Sequence, residues 1–207
     1  MTWNSNNTSN WNTATLNTYL NGTYYNSLSN KNLIDTATWY LGGPLSTDYS
    51  NPNNFENLTS SGWYNIEKSN NVYSGNLTSV TSNIALIYPS DYGFSTNYDV
   101  GAGAATPSDP DTYGAGCLSK DIAHYNGYCA RGSWMFDDNN GYMEWLLSPL
   151  SDNSDINRAV RINKSHGFID HVYVNNTLFV RPALYLKSTA QITGGAGTSS
   201  NPYTLSV

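Results

Sequence analysis

Aliphatic side chains are scarce in this chain, and that scarcity restricts the cores it can build. Leu, Ile, Val and Phe fill 39 of its 207 positions, about 19%, which is just below the fraction that marks highly charged chains as disordered. The net charge is only −6, however, and aromatic residues reach 14%. Because a large ring buries about 150–250 Å², the sequence predicts a folded chain with an aromatic-rich core.

Neutral polar residues replace most of the usual charge. Asn, Ser and Thr occupy 74 positions, whereas charged residues make up 12%, against about 25% in average soluble domains. The nine Lys and Arg are scattered singly, which excludes the basic stripe that nucleic-acid binding requires. No apolar run approaches the roughly 18 residues of a membrane span, and residues 1–5 lack the basic and apolar regions of a signal peptide. This composition favours a secreted surface protein over a cytosolic enzyme.

Hydrophobic periodicity predicts helices in the first part of the chain. Residues 1–10 show no periodicity and are interpreted as a linker or a frayed N-terminus, and residues 11–207 as a single domain. An amphipathic helix follows, with Asn12 or Thr13 as its N-cap, and its apolar face comprises Leu16, Tyr19, Leu20, Tyr24 and Leu28. A short helical turn containing Leu33 and Ile34 comes next.

The rest of the chain is typical of antiparallel sheet, so the fold class predicted is α+β. A continuous apolar run indicates a buried strand at 84–88, and the lack of apolar periodicity predicts a long loop at 95–116. The remaining strands are predicted at 143–148, 158–162, 168–174 and 178–186, with a terminal hairpin joining 191–192 to 203–205.

The two cysteines, Cys117 and Cys129, are twelve positions apart. In a secreted protein they are expected to form a disulfide, and the alternative is two unpaired thiols in a reducing compartment. The spacing argues against a zinc site, because neither cysteine has a C-x-x-C partner and no His follows at ligand spacing.

Catalytic chemistry has little support in the sequence, and we expect no enzyme. Neither the three histidines nor the three glutamates fall at a spacing that marks a nucleophile, a base or a carboxylate pair. Calcium is the one cofactor left open, because acidic loops can supply oxygen ligands, although Asp and Asn also form turns. The metal candidates are Asp137, Asp138 and Asn139.

Aromatic residues in the predicted loops suggest a binding surface, since Tyr and Trp combine rigid apolar area with a hydrogen-bonding tip. The ligand-binding candidates are Tyr98, Tyr113, Tyr125, Trp134 and Tyr142. The alternative is that most of these rings are buried in a core that is short of aliphatic residues.

An ordered set of short segments carries a family resemblance across nearly the whole chain from about residue 11. The segments are 16–26, 39–43, 64–68, 84–93, 145–149, 180–187 and 192–203. Together they resemble an uncharacterised extracellular domain at the C-terminal end of surface proteins of Gram-positive gut bacteria, often behind a prepilin-like anchoring helix. This chain departs from that pattern at Phe179, where Gly is usual, and at Lys68, where Arg is usual.

The segments 145–149 and 180–184 also resemble the sheet core of the C-type-lectin-like and formylglycine-generating-enzyme-like superfold. This resemblance implies N-terminal helices packed on antiparallel sheet, with the region 95–142 as a variable surface. The lectin calcium motifs are missing, so calcium-dependent sugar binding is not implied.

Several of the same residues are interpreted as structural. Trp39 and Trp145 are core candidates, and Arg181 in an apolar strand is expected to pair with Glu67 or Glu144, since an unpaired buried guanidinium is very costly.

The sequence therefore predicts an extracellular module at the bacterial cell surface, associated with a pilus or acting as an adhesin. Its partner would be a glycan or a protein bound through the loops. The alternative is a structural filament subunit that contacts copies of itself.

Overall fold

Short helices dominate the first half of the chain and antiparallel strands the second, which confirms the α+β class. The computed structural model describes residues 1–96, 117–125, 127–136, 142–152, 156–163 and 166–206. Its α-helices are α1 (Thr15–Tyr19), α2 (Tyr25–Ser27), α3 (Ser60–Glu67), α4 (Pro89–Phe94) and α5 (Gly127–Arg131), and a π-helical segment, Leu20–Tyr24, joins α1 to α2. The 3-10 turns are Trp11–Thr13, Lys31–Leu33, Phe55–Asn57, Cys117–Ser119 and Ile122–His124.

The strands form four small antiparallel sheets. They are β1 (Ile34–Asp35), β2 (Ala37–Tyr40), β3 (Ser79–Ser82), β4 (Ile84–Leu86), β5 (Glu144–Pro149), β6 (Arg158–Ile162), β7 (Ile169–Tyr173), β8 (Pro182–Leu186), β9 (Gln191–Gly194) and β10 (Thr204–Ser206). The strand orders are β1-β8-β4 and β5-β6-β7, and two further pairs join β2 to β3 and β9 to β10. The strands predicted near 84–88, 143–148, 158–162 and 168–174, and the terminal hairpin, are confirmed.

Aromatic rings fill the core, as the scarcity of aliphatic residues predicts. The largest fully buried side chains include four tryptophans and one tyrosine: Trp3, Trp11, Trp63, Trp145 and Tyr92. Strand β5 is buried along its whole length because alternate side chains enter two clusters. Leu146 packs in one cluster with Trp63 and Tyr92, and Trp145 packs in the other with Trp3 and Trp11. Trp39, the other tryptophan expected in the core, is also buried.

Residues 1–10 pack into the fold instead of forming the expected linker or frayed terminus. Trp3 is fully buried, its ring centroid lies 5.0 Å from that of Trp11, and its indole N–H donates to the Leu146 carbonyl oxygen. The backbone N–H of Asn4 donates to the Val174 carbonyl oxygen at 3.0 Å. One buried ring and a few backbone hydrogen bonds anchor this segment without a regular helix or strand, so its sequence carries no periodicity.

The first helix begins later than predicted. Ala14 precedes α1 and makes no side-chain cap, and Asn12 and Thr13 belong to the upstream 3-10 turn, which Asn10 caps. Leu33 closes the next 3-10 turn, but Ile34 begins β1 because its backbone pairs with Leu186 of β8. The N-cap prediction is therefore wrong, since local polar spacing did not distinguish two consecutive helical turns.

Gly42 holds the segment after β2 against the C-terminal end of α3. Its backbone N–H donates to the Glu67 carbonyl oxygen at 3.0 Å, and an added Cβ would lie 2.2 Å from the Ile66 carbonyl oxygen. Only a residue without a side chain permits this approach. Gly42 thereby positions the last turn of α3 and the side chain of Glu67.

Cys117 and Cys129 form a disulfide, as the secreted interpretation predicts, with their Cα atoms 5.5 Å apart. Both residues are buried in the cluster that contains Trp63 and Tyr92. The bond ties the 3-10 turn at Cys117–Ser119 to α5.

We predict that Gly42→Ala destabilises the fold by about 1–3 kcal/mol or more, because the new methyl group meets backbone oxygens that cannot move aside. Gly22→Ala is the matched control, because nothing lies within 4 Å of its added Cβ. In a helical segment this substitution gains up to about 1 kcal/mol. Urea unfolding of both variants measures the difference, and equal midpoints would contradict the close approach at Gly42.

We predict that the disulfide stabilises the protein by about 3 kcal/mol, the value expected for a closed loop of this length. Reduction of the wild type should lower the melting temperature by about 6–12 °C for a chain of this size. The double variant Cys117→Ala/Cys129→Ala should melt at one temperature with or without reductant. An unchanged melting temperature of the wild type in a reductant that is shown to free both thiols would contradict this prediction.

Candidate functional site

A cavity of about 190 Å³ lies where β2, α3, the start of α4 and β8 meet. We call it the Glu67 cavity. Its walls carry four tyrosines, one lysine and two carboxyl groups, and the lining residues are Thr38, Tyr40, Tyr64, Glu67, Lys68, Tyr88, Ser90, Asp91 and Tyr185. A pocket with aromatic walls and a few convergent polar groups is the usual form of a small-ligand site.

The carboxyl group of Glu67 is buried in this cavity, with 2% of the residue exposed. Tyr64 lies three residues before Glu67, the last residue of α3, and four residues before Lys68, the C-cap, so each of these two residues is a helical neighbour of Tyr64. The backbone N–H of Ser90 donates to Oε1 of Glu67 at 2.9 Å, and the Ser90 hydroxyl donates to Oε2 at 2.5 Å. A carboxylate has about four acceptor positions, so these two bonds leave it capacity to bind a ligand.

Burial raises the pKa of Glu67 to about 8, because removing the carboxylate from water disfavours its charged form. The two hydrogen bonds from Ser90 oppose this shift, and the nearby charge of Asp91 adds to it. No lysine, arginine or histidine pairs with Glu67 in the part of the chain that the structure describes. The group is therefore largely protonated at neutral pH, a property that is frequent at functional sites.

Two tyrosine rings on the open side of the cavity already hold a cation. The ammonium nitrogen of Lys68 lies 4.9 Å from the ring centroid of Tyr64 and 5.8 Å from that of Tyr40. It also donates to the Tyr64 hydroxyl at 3.1 Å, and this bond raises the pKa of Lys68. The rings are about half exposed, and Lys68 is fully at the surface.

Tyr88 fixes the wall behind these rings. Its hydroxyl donates to the Tyr40 carbonyl oxygen at 3.0 Å and accepts from the Tyr40 backbone N–H at 2.7 Å. Burial raises the pKa of Tyr88, so the phenol stays neutral. Tyr185 of β8 also lines the cavity, with its ring centroid 5.1 Å from that of the buried Trp39. Contacts with neighbouring strands therefore hold both Tyr88 and Tyr185 in place.

This cavity was not predicted from the sequence, although all of its lining residues except Thr38 lie in four of the segments that carry the family resemblance: 39–43, 64–68, 84–93 and 180–187. Arg181 pairs with Glu144 at 2.9 Å, which confirms one of the two partners expected from the sequence, and it donates to the Met135 carbonyl oxygen. Glu67, the other expected partner, lies in the cavity without Arg181. The one local sequence signal for the cavity is the spacing of Glu67 and Lys68, which lie three and four residues after Tyr64.

The structure separates the aromatic residues that were selected from the sequence. Tyr125 is 2% exposed and its hydroxyl donates to the Cys117 carbonyl oxygen, so its ring belongs to the core. Trp134 is 76% exposed and Tyr142 is 51% exposed, and the Tyr142 ring contacts Phe179. Tyr98 and Tyr113 lie outside the described residues, as do Asp137, Asp138 and Asn139.

A wider groove lies beside α3 and is lined mainly by uncharged polar side chains. We call it the asparagine groove, and its five asparagines are Asn53, Asn57, Asn65, Asn70 and Asn71. Its volume is about 680 Å³. Helix α3 contributes residues to both the groove and the Glu67 cavity.

We predict that Glu67 makes the protein less stable as pH rises from about 4.5 to about 8, the interval between its ordinary and its folded pKa. In this interval the folded state holds a proton that the unfolded state has released, so each increase in pH favours unfolding. Glu67→Gln removes this contribution, and its stability relative to the wild type should rise across the interval.

Urea midpoints at several pH values measure this difference. Glu144 also has a raised pKa, but it is present in both proteins and cancels in the comparison, whereas the charge of Asp91 acts on Glu67 and belongs to the contribution that is measured. Glu56→Gln, which keeps Glu67 and lies outside the cavity, is the control. A constant difference between wild type and Glu67→Gln across the interval would contradict the prediction.

Comparisons with known proteins give no match that would identify this site. No protein-family model, curated protein or solved structure matches this chain. Among the described residues no helix has the length and apolarity to cross a membrane, and no three His, Cys, Asp or Glu side chains are grouped as metal ligands. The site is therefore interpreted from its own residues.

Proposed function

We propose that this chain is an extracellular binding module that recognises a glycan, with the Glu67 cavity as its sugar site. The observation that carries the proposal is the cavity itself, in which half-exposed tyrosine rings surround hydrogen-bonding groups on a buried floor. A sugar presents apolar C–H faces and a rim of hydroxyl groups, so it needs both kinds of contact. Tyr64 and Tyr185 supply ring area, and Glu67 supplies hydrogen bonds.

The asparagine groove supports a ligand longer than one sugar. Amide side chains both donate and accept hydrogen bonds, which suits neutral hydroxyl groups better than charged ones. Because α3 borders both sites, an extended chain could occupy the Glu67 cavity and continue into the groove. Few residues on the module are charged, and this is consistent with a neutral polar ligand.

The extracellular location rests on the disulfide and on the composition. Disulfides persist in oxidising compartments, and a surface rich in Asn, Ser and Thr is suited to such a location. We propose a C-type-lectin-like arrangement, displayed at the cell surface of a Gram-positive bacterium as an adhesin or a pilus-associated module. The antiparallel sheet with β8 at its centre and the long segment between α4 and β5 are consistent with that arrangement.

The alternative is a structural filament subunit, and an exposed apolar surface favours it. A groove of about 410 Å³ lies between residues 28–34, β8 and β10. Its apolar neighbours remain exposed, including Leu186 at 45%, Ile192 at 62% and Tyr203 at 55%. A second copy could cover these side chains, and so could a protein ligand. The molecular mass of the particles that this protein forms in solution, alone or with a protein ligand, tests both partners.

We predict that the wild type binds members of a glycan array, and that Tyr64→Ala weakens this binding about tenfold because the ring provides a central aromatic contact. Tyr173→Ala is the matched control, since Tyr173 has similar exposure and also carries a cation over its ring but lies away from the cavity. Calorimetry with the best array ligand measures both affinities.

Equal loss in the two variants would contradict the assignment of the site. Absence of binding to any glycan, together with filaments in electron microscopy, would favour the structural alternative over the proposed function.

A further inference from the structure

Glu67 is a buried carboxyl group for which the described residues supply no cation. A carboxylate removed from water is costly unless it is paired. The other glutamate with a raised pKa, Glu144, has Arg181 as its partner. Within the described part of the chain, the carboxyl group of Glu67 accepts two hydrogen bonds, both from Ser90. A positively charged group that entered the cavity would provide the missing partner and make the ionised form favourable.

The walls of the cavity suit an organic cation. Lys68 places its ammonium group over the rings of Tyr64 and Tyr40, so these two rings already form cation–π contacts. A bare metal ion is a poor fit because it needs several oxygen ligands, and the described part of the chain groups no three acidic or other ligating side chains. Tyrosine rings around one carboxyl group instead match an alkylated or amino-bearing cation.

Lys68 occupies the position that an incoming cation would take. Its flexible stem and its location at the surface allow the ammonium group to move into water. Residues adjacent in a helix do not face each other, and Lys68 makes no ion pair with Glu67. Lys68 therefore acts as a weak competitor for the rings and not as the partner of Glu67.

We propose that the Glu67 cavity binds an ammonium group, so that the glycan recognised carries an amino or alkylated ammonium substituent. This inference rests on the proposed function, since it takes the Glu67 cavity as the ligand site. The ammonium group lies between the carboxylate of Glu67 and the rings of Tyr40, Tyr64 and Tyr185. The net charge of −6 also attracts a cation towards the protein.

Proton release distinguishes this mode of binding from that of a neutral sugar. Glu67 is largely protonated at pH 7, because burial raises its pKa to about 8, and an ammonium ligand requires its ionised form. The charged and titratable groups around it are Tyr64 from α3, Lys68 directly after it, Tyr40 from β2, Tyr88 and Asp91 at the start of α4, and Tyr185 from β8. Binding an ammonium ligand at pH 7 should therefore release close to one proton.

The test uses two pairs of probes that differ in charge. Choline is compared with its neutral isostere 3,3-dimethyl-1-butanol, and glucosamine with glucose, by calorimetry at pH 7 in two buffers of different ionisation enthalpy. We expect choline and glucosamine to bind with Kd values of millimolar or tighter, with proton release, and the neutral partners to bind at least about tenfold more weakly. Choline alone would indicate an alkylated ammonium, and glucosamine alone an amino sugar.

Substitutions of Glu67 and Lys68 should change the affinity for the ammonium probes in opposite directions. Glu67→Gln should weaken choline or glucosamine binding at least about tenfold, whereas Lys68→Gln should strengthen it because it removes the competing ammonium. Lys31→Gln is the matched control, since Lys31 also lies over a tyrosine ring, that of Tyr25, outside the cavity. Circular dichroism checks folding, and the surface substitution at Lys68 tests the inference even if Glu67→Gln does not fold.

Each outcome separates this inference from the function on which it rests. Glucose binding as tightly as glucosamine, without proton release and with loss in Tyr64→Ala, would overturn the ammonium inference and retain the sugar site. Weaker ammonium binding in Lys68→Gln would also overturn it. Failure of both ammonium probes and of every array glycan would overturn the inference and the proposed function together.

Discussion

Two tryptophans hold the N-terminal segment and strand β5 together by reciprocal hydrogen bonds. The indole N–H of Trp3 donates to the Leu146 carbonyl oxygen on β5, and the indole N–H of Trp145 on β5 donates to the Met1 carbonyl oxygen. Strand β5 separates the two core clusters, so this pair of bonds fixes the element on which both clusters pack. In a chain with few aliphatic residues, rings provide the buried area and their polar tips position the backbone.

The same arrangement recurs at other buried or half-buried rings and extends to the site. Trp39 donates to the Ser82 carbonyl oxygen, Tyr92 to that of Gly167, and Tyr88 to that of Tyr40. The last bond forms a wall of the Glu67 cavity. The cavity is therefore an extension of the aromatic core to the surface, where rings that cannot be fully buried remain available to a ligand.

The different surroundings of two glutamates explain why the cavity is a better candidate than the rest of the surface. Arg181 pairs with Glu144 and so compensates the negative charge of its carboxylate. Glu67 is more deeply buried and has no such partner among the described residues. A buried carboxyl group without a cationic partner lowers the free energy of unfolding at neutral and alkaline pH. A ligand that supplies the cation would restore this stability on binding.

Much of the fold could be predicted from local sequence patterns. The alternation in Arg158–Ile162 and the apolar run beginning at Ile84 identified β6 and β4, and the identity of the two cysteines together with the neutral composition indicated the disulfide. The burial of Trp3 could not be predicted, because its partners Leu146 and Trp11 come from different parts of the chain and leave no periodic signal. Tyr125 was misplaced for a related reason, since an aromatic residue in a loop has the same local sequence whether it faces the solvent or the core.

The sequence by itself determined that this chain has an aromatic core, an α+β fold and a disulfide-compatible composition, because these properties depend on residue type and short-range spacing. The tertiary structure decided which glutamate Arg181 pairs with, and it brought Tyr40, Glu67, Ser90 and Tyr185 to one cavity. These residues come from four separate elements, and only long-range packing, including the close approach of Gly42 to α3, sets their distances. The partner of a buried charge is likewise a property of the fold, since it depends on what the folded chain places within a few ångströms.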